Sequence, residues 1–456
     1  MMLGVCMRQF DNTRNPILPL DIHIPDSEAH VMPNGNLYIY GSYDNYGNLY
    51  CSEKYYVVST SDMKKWNIHE DVFQGKQVSW FNNPDAPKYE SNDGGEPTDF
   101  VKKMQETTDE DDINFVLTQD LGKLPPLLFA PDCIEKDGKY YLYFCMADGS
   151  EGVAVSEQPE GPFAEPVQLP CSGIDPAVFV DDDGQAYYYW GQFRSHAVKL
   201  HSDMCSFAPD KVLDCFLTEE EHYFHEGSSM RKIGDTYYAV FADIERGKPT
   251  ALGYATSKSP LGPFEYRGIL IDNVECDPSS WNNHGSIECF HGQWYIFYHR
   301  SSRNSKIFRR LCIEPITIRE DGTIDEVKMT SQGMGNPFSP GERIMGYQAC
   351  GLKGNVYIDA VTEPDFRPEE ALVNIVSGDE VIFRYVKSVQ DFQSLRIKAE
   401  GSGCMEIWMN NKKAGEIEVE NGQQKNSSIS MKAGEYELKL RFVTADNLEV
   451  DWLELG

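Results

Sequence analysis

Four ionisable residues stand at nearly the same distance before a turn glycine. Asp26 precedes Gly35 by nine residues and Asp175 precedes Gly184 by nine. Glu226 precedes Gly234 by eight, His284 precedes Gly292 by eight, and Asp132 precedes Gly138 by six, a looser match. An acid at a strand entry is ordinarily a turn or capping group, and a lone histidine is ordinarily a satisfied core residue. Three carboxylates at one phase of a repeat are less ordinary. Brought together they repel, which destabilises a fold unless a proton, a cation or a function offsets it. Crowded carboxylates suit cleavage of a glycosidic bond. One stays protonated to donate to the departing oxygen, another stays ionised to activate water, and a third nearby anion helps separate the two roles.

The element that must position them is a hairpin. Residues 173–191 read as a short apolar strand, the turn Asp181-Asp182-Asp183-Gly184, and the aromatic strand Ala186-Tyr187-Tyr188-Tyr189-Trp190. Asp-Gly is a strong hairpin signal because the tight turn needs positive φ, which glycine adopts without steric cost. The pattern returns around Gly35, Gly138, Gly234 and Gly292, and each copy is followed by a second pair of strand-like runs. Four strands per unit, about fifty residues per unit and five units predict an all-β chain that begins with a five-bladed β-propeller. The first strand of every blade lines the central channel, so Asp26, Asp175, Glu226 and His284 are expected in one cavity.

The interval between Gly35 and Gly138 holds an extra polar, acid-rich segment at about 75–123. It reads as a long surface loop with a short helix near 100–105, either a solvated decoration or a lid over the cavity. After about residue 340 the runs 380–386, 394–399, 404–409, 436–442 and 448–453 alternate in and out, predicting a β-sandwich. The expected organisation is therefore a propeller at 1–340 and a sandwich at 341–456.

The 456 residues carry a formal charge of −31 and a pI near 4.6. That balance argues against nucleic acid and against an anionic membrane surface, and it is compatible with a neutral, hydroxyl-rich ligand. No apolar run approaches a membrane span, and Met1–Asp11 lacks the pattern of a signal peptide. The twelve cysteines show no paired or zinc-type spacing. Buried free thiols in the cytoplasm are the expectation.

Several ordered pieces resemble family 43 glycoside hydrolases, inverting five-bladed propeller enzymes that act on arabinosides, xylosides and related sugars. They are Asn15-Pro16-Ile17-Leu18-Pro19 before Asp26, Phe129-Ala130-Pro131-Asp132, Ile174-Asp175-Pro176, His225-Glu226-Gly227 and Asn283-His284-Gly285-Ser286. The resemblance implies Asp26 as general base, Asp175 as pKa modulator and Glu226 as general acid. It also implies a calcium or sodium ion facing His284 in the channel, no organic cofactor, and Arg309 as a sugar contact with Arg310 as its alternate. Two departures stand out. Pro25-Asp26-Ser27-Glu28 replaces the usual Ala-Asp-Pro and makes Glu28 a rival base, and Gly-Ser-Ser follows the acid where Gly-Pro is usual.

The C-terminal region is similar to family 6 carbohydrate-binding modules in 431–436 and in Val450-Asp451-Trp452. Its first strand is expected at 347–350, and a sugar-binding module or a buttress for the propeller are the two readings. The implied function is an exo-acting, inverting glycosidase that removes terminal α-L-arabinofuranose or β-D-xylose from oligosaccharides. A galactofuranosidase of the same family and a catalytically silent sugar-binding propeller are the alternatives. Phe129, Trp190 and Trp80 are candidates for an apolar wall under the sugar.

Overall fold

Short runs of Tyr, Phe, Trp, Val and Ile bracketed by turn residues are favoured in pleated, half-buried strands, and nearly all the regular structure here is of that kind. The computed structural model describes residues 7–46, 49–89, 125–276, 282–361, 369–420 and 425–456. Blade 1 comprises β1 (Met7–Asp11), β2 (Glu28–Val31), β3 (Leu37–Tyr40), β4 (Lys54–Thr60) and β5 (Lys65–Gln74). In blade 2 are β6 (Asp132–Lys136), β7 (Lys139–Cys145), β8 (Ser150–Ser156) and β9 (Ala164–Ser172). Blade 3 consists of β10 (Ala177–Val180), β11 (Ala186–Trp190), β12 (Arg194–Lys199) and β13 (Leu213–Thr218). Blade 4 has β14 (Phe224–Ile233), β15 (Thr236–Asp243), β16 (Ala251–Ser257) and β17 (Glu265–Asp272), and blade 5 has β18 (Ser286–Phe290), β19 (Gln293–Ser302) and β20 (Ser305–Ile316).

Each blade is an antiparallel meander, so the strand order within a sheet follows the chain, with β1 added on the outer edge of blade 1. The hairpin turns are as the glycines foretold. Val180 pairs with Ala186 across the turn, Gly184 N–H donates to the Asp181 carbonyl at 2.8 Å, and Gly184 sits at φ +82°. The innermost strands form a closed ring. β2 is flanked by β6 and β18, β10 by β6 and β14, and β14 by β18.

Closure of the ring uses the N-terminal segment. Ile17 N–H donates to the Leu311 carbonyl at 2.9 Å, and the Asn15 side chain bonds both the N–H and the carbonyl of Ile313 on β20. Nearer the axis, Ser27 and Gly285 form a parallel bridge, and Ser286 Oγ links the Ser27 carbonyl to the Ala29 N–H. Asp26 and His284 are thereby held on adjacent blades at the same height.

The strands from Arg343 onward form a C-terminal β-rich domain around its own core, which includes Leu352, Phe383, Leu395, Ile407, Leu440 and Leu453. Two details differ from the sequence reading. The runs at 394–399 and 404–409 belong to one strand, Phe392–Met409, and those at 436–442 and 448–453 belong to another, Gly434–Leu455. Gly401 sits where register shifts bend this pair, at φ +74°, and a Cβ there would lie 2.0 Å from the Asn447 carbonyl oxygen. The glycine between the two runs is thus a bend within one strand. The segment expected as the first strand, 347–350, falls instead on a short 3-10 turn at Gly346–Gln348 and the residues after it.

In the extra segment, Trp80 packs on Phe144 with ring centroids 6.1 Å apart. The expected helix at 100–105 and the remainder of the loop lie outside the described residues. Every cysteine among the described residues is a free thiol, and no helix among them is long and apolar enough to cross a membrane.

Candidate active site

The residue count placed Asp26 and Asp175 at equivalent positions, and the backbone repeats the equivalence. Each sits just before the inner strand of its blade, and each adopts φ 56°, in the left-handed region that Asp tolerates better than most residues. Both carboxyl groups approach the same imidazole. His284 Nδ1 lies 3.8 Å from Asp26 Oδ1 and 3.7 Å from Asp175 Oδ2. The third acid arrives from blade 4 on the same ring, because a Cβ on Gly227 would lie 2.9 Å from His284 Cγ. Gly227, at φ +72°, therefore lets the backbone next to Glu226 lie against His284. The four residues converge at one mouth of the channel, all less than a tenth exposed.

Electrostatics separates the acids. Burial tends to raise the pKa of Asp26, but Arg309, His284, His299 and the Ser42 hydroxyl outweigh it and hold the carboxyl below its ordinary value. Arg309 Nη1 donates to Asp26 Oδ1 at 2.8 Å, and Ser42 Oγ donates to Asp26 Oδ2 at 2.6 Å. Asp175 goes the other way. Burial, with the charges of Glu226 and Asp26 nearby, pushes its carboxyl well above the ordinary range, and Arg309 opposes only part of this. Burial holds the His284 and His299 imidazoles below their ordinary value, the latter down to about 3, so both are neutral near pH 7.

The sequence reading missed the groups that fix these acids. Asp44, wholly buried, accepts three hydrogen bonds from Arg309, at 3.0, 3.0 and 2.9 Å, and thereby aims the guanidinium at Asp26. The ring of Tyr50 lies under the same guanidinium, 5.2 Å away. On blade 3, Gln192 Nε2 donates to Glu226 Oε2 at 2.7 Å. Next to it, Phe193 meets the His225 ring edge-on and is half-buried. These residues lie in the loops after the second strands of their blades, where the count back from the turn glycine does not reach.

Arg309 and Arg310 point to opposite sides of β20, as successive strand residues must. Arg310 bonds Glu370 and the Leu20 carbonyl, away from the acids. Glu28 shares the Asp26 side of its strand but lies deeper, where its Oε1 accepts from Arg231 at 2.7 Å and from Ser229 at 2.9 Å. Burial raises its pKa to about 7, with Arg231 opposing and Asp132 adding to the rise. Asp132, the looser match in the repeat, is in this deeper layer too, 2.7 Å from His30 Nε2.

Of the expected apolar wall, Phe129 is half-buried beside this region, its carbonyl accepting from the Tyr55 hydroxyl. Trp190 is a correction. It has no exposed surface and stacks on Tyr188 and Phe207 in the core between blades 2 and 3, so it offers no face to a sugar. Trp80 is buried in the adjoining core. A cavity of about 740 Å³ on the outer part of blade 4, lined by Tyr238, Lys258, Arg267 and Asp321 among others, contains none of these acids.

One group among the described residues has the make-up of a metal site. Glu28, His30 and Asp132 each bring a ligand atom within 4.8 Å of the others. His284, the residue expected to face an ion, is outside this group.

Known proteins point the same way. The sequence model of glycosyl hydrolases family 43 matches residues 102–324. A xylosidase/arabinosidase of Thermoclostridium stercorarium is 32% identical over 380 residues, covering 76% of this chain and 74% of that protein. Xylosidase/arabinosidase 43A of Humicola insolens is 30% identical over 356 residues, 67% of this chain and 96% of its own. Among solved structures, a family 43 β-xylosidase/α-arabinofuranosidase from a compost metagenome, in complex with xylotriose and calcium-free, superposes with a TM-score of 0.53 at 27% identity. The match covers 70% of this chain and 99% of that one.

Proposed function

The chain belongs to glycosyl hydrolases family 43, and from that membership we propose that it is an inverting exo-glycosidase. Its substrates on this reading are short oligosaccharides, from which it releases terminal α-L-arabinofuranose or β-D-xylose. The substrate class is supported by the relatives, which are named for xylosidase and arabinosidase activity. The observation that carries the chemistry is the meeting of Asp26, Asp175 and Glu226 around His284, with Asp26 driven towards the anion and Asp175 towards the acid form.

Asp26 is the base in this scheme. Ionised and held by Arg309 and Ser42, it takes a proton from water as that water attacks the anomeric carbon. Glu226 donates a proton to the departing oxygen from the other side of the sugar, oriented by the Gln192 amide. Asp175 stands beside Glu226 as a second buried carboxyl, and repulsion between the two favours the form in which the pair holds a proton. Glu28 is the poorer base, since its carboxyl is tied to Arg231 and Ser229. An inverting pair is separated by about 6.5–9.5 Å to leave room for the water. No step passes through a metal ion.

A panel of aryl glycosides tests this reading, with Glu226→Gln as control. The expected result is hydrolysis of aryl arabinofuranosides or xylosides by the native enzyme. In Glu226→Gln, activity should survive best on the most acidic leaving groups, which need no proton. Sugar binding without hydrolysis of any member of the panel contradicts the proposal.

A further inference from the structure

Below the mouth, the channel is lined by charged side chains from the inner strands. Glu28 and His30 come from β2, Asp132 from β6, Arg231 from β14 and Glu288 from β18. Arg231, less than a tenth exposed, uses all three of its nitrogens. Nη2 donates to Glu28 Oε1 at 2.7 Å and to the Ala29 carbonyl at 2.5 Å, and Nε donates to Glu288 Oε2 at 3.2 Å. Nη1 donates to the Met230 carbonyl at 2.8 Å and lies 3.4 Å from Ser229 Oγ. One guanidinium thus joins blade 4 to blades 1 and 5.

Asp132 closes the rest of the ring. Its Oδ1 meets His30 Nε2 at 2.7 Å and the Cys133 N–H at 2.6 Å, while its Oδ2 accepts the Val178 N–H of blade 3 at 2.7 Å. The acids of the channel are therefore supplied with donors already. A hard divalent cation such as calcium takes six to eight oxygen ligands. The group of Glu28, His30 and Asp132 offers two carboxylates and one nitrogen, and it has a fixed positive charge bonded to Glu28. A resident calcium ion does not fit that arrangement.

We propose that the Arg231 guanidinium is the resident cation of this channel and takes the place of a bound metal ion, so the enzyme folds and works without calcium or sodium. Arg231 of β14 bonds two of the channel's acids, Glu28 and Glu288, the third, Asp132, is held by His30 and two backbone N–H groups, and the blades are joined by hydrogen bonds rather than by coordination.

The test uses the full chain, dialysed against EDTA and then into metal-free buffer. Bound metal is measured by elemental analysis, and thermal unfolding is followed with EDTA, with calcium chloride, and with potassium in place of sodium. The expected result is far less than one calcium per chain and shifts in unfolding temperature under about 1 °C in every condition. Arg231→Met leaves the acids without their cation. It should unfold at a lower temperature and be raised by calcium by more than about 4 °C. Arg231→Lys keeps a charge and should stay insensitive to calcium. Stoichiometric calcium in the native protein, or an unfolding temperature lowered several degrees by EDTA, overturns the proposal. So does a folded Arg231→Met that ignores calcium. Should Arg231→Met fail to fold under all conditions, the native protein and Arg231→Lys decide the matter alone.

Discussion

Replacing Ser42 by alanine perturbs the candidate base and little else. The serine is wholly buried, and its hydroxyl donates to Asp26 Oδ2 at 2.6 Å, a hydrogen bond to a charged acceptor. Such bonds contribute roughly 1.5–3 kcal/mol, which corresponds to about 1–2 pH units on the carboxyl that accepts them. The sign follows from which form is stabilised. The hydroxyl favours the anion, so its loss raises the pKa of Asp26 from its depressed value. Arg309 remains 2.8 Å away and keeps Asp26 ionised at neutral pH. The acid limb of kcat/KM against pH should therefore move up by about 1–2 units while the alkaline limb stays in place. Near neutrality the rate should change little, and around the original acid limb it should fall by about tenfold or more. The assay is a pH profile on an aryl pentoside, with circular dichroism at each pH to confirm folding. An acid limb that does not move, or both limbs moving together, would show that Ser42 and Asp26 do not act as described.

Two further substitutions test the surroundings. Gln192→Ala removes the 2.7 Å hydrogen bond to Glu226; kcat is expected to fall by about tenfold with KM nearly unchanged, the loss of one hydrogen bond that orients the proton donor, and steady-state kinetics checks it. Trp190→Phe changes a side chain with no exposed surface; it should lower stability to urea by about 1–2 kcal/mol and leave KM alone, and a large change in KM at native stability would return Trp190 to the sugar site.

The propeller was legible because its signal is local and repeated. Five glycine turns, each followed by a short aromatic-rich strand, leave few other ways to bury the chain. Asp26 and Asp175 were legible for the same reason, and their shared φ of 56° shows that the count tracked a real backbone position. Asp44, Ser42, His299 and Gln192 were not, because they lie after their turn glycines, on the second strands or in the loops beyond, where a count back from the glycine does not reach. Trp190 failed for another reason. In a sheet buried on both faces, alternation does not say which face meets the channel and which the next blade. Arg231 had a signal that could have been used, since it lies three residues before Gly234 on the inner strand of its blade. A cation on a strand otherwise reserved for the channel has to find anions there.

The most direct test of the central claim is the configuration of the first sugar released, followed by proton NMR in a freshly started hydrolysis before mutarotation. If Asp26 activates water on the face opposite the proton donor Glu226, the first anomer formed has the configuration opposite to that of the substrate. Release of the same anomer as the substrate would contradict the assignment of Asp26 as a base, since retention requires a carboxylate that attacks the sugar itself.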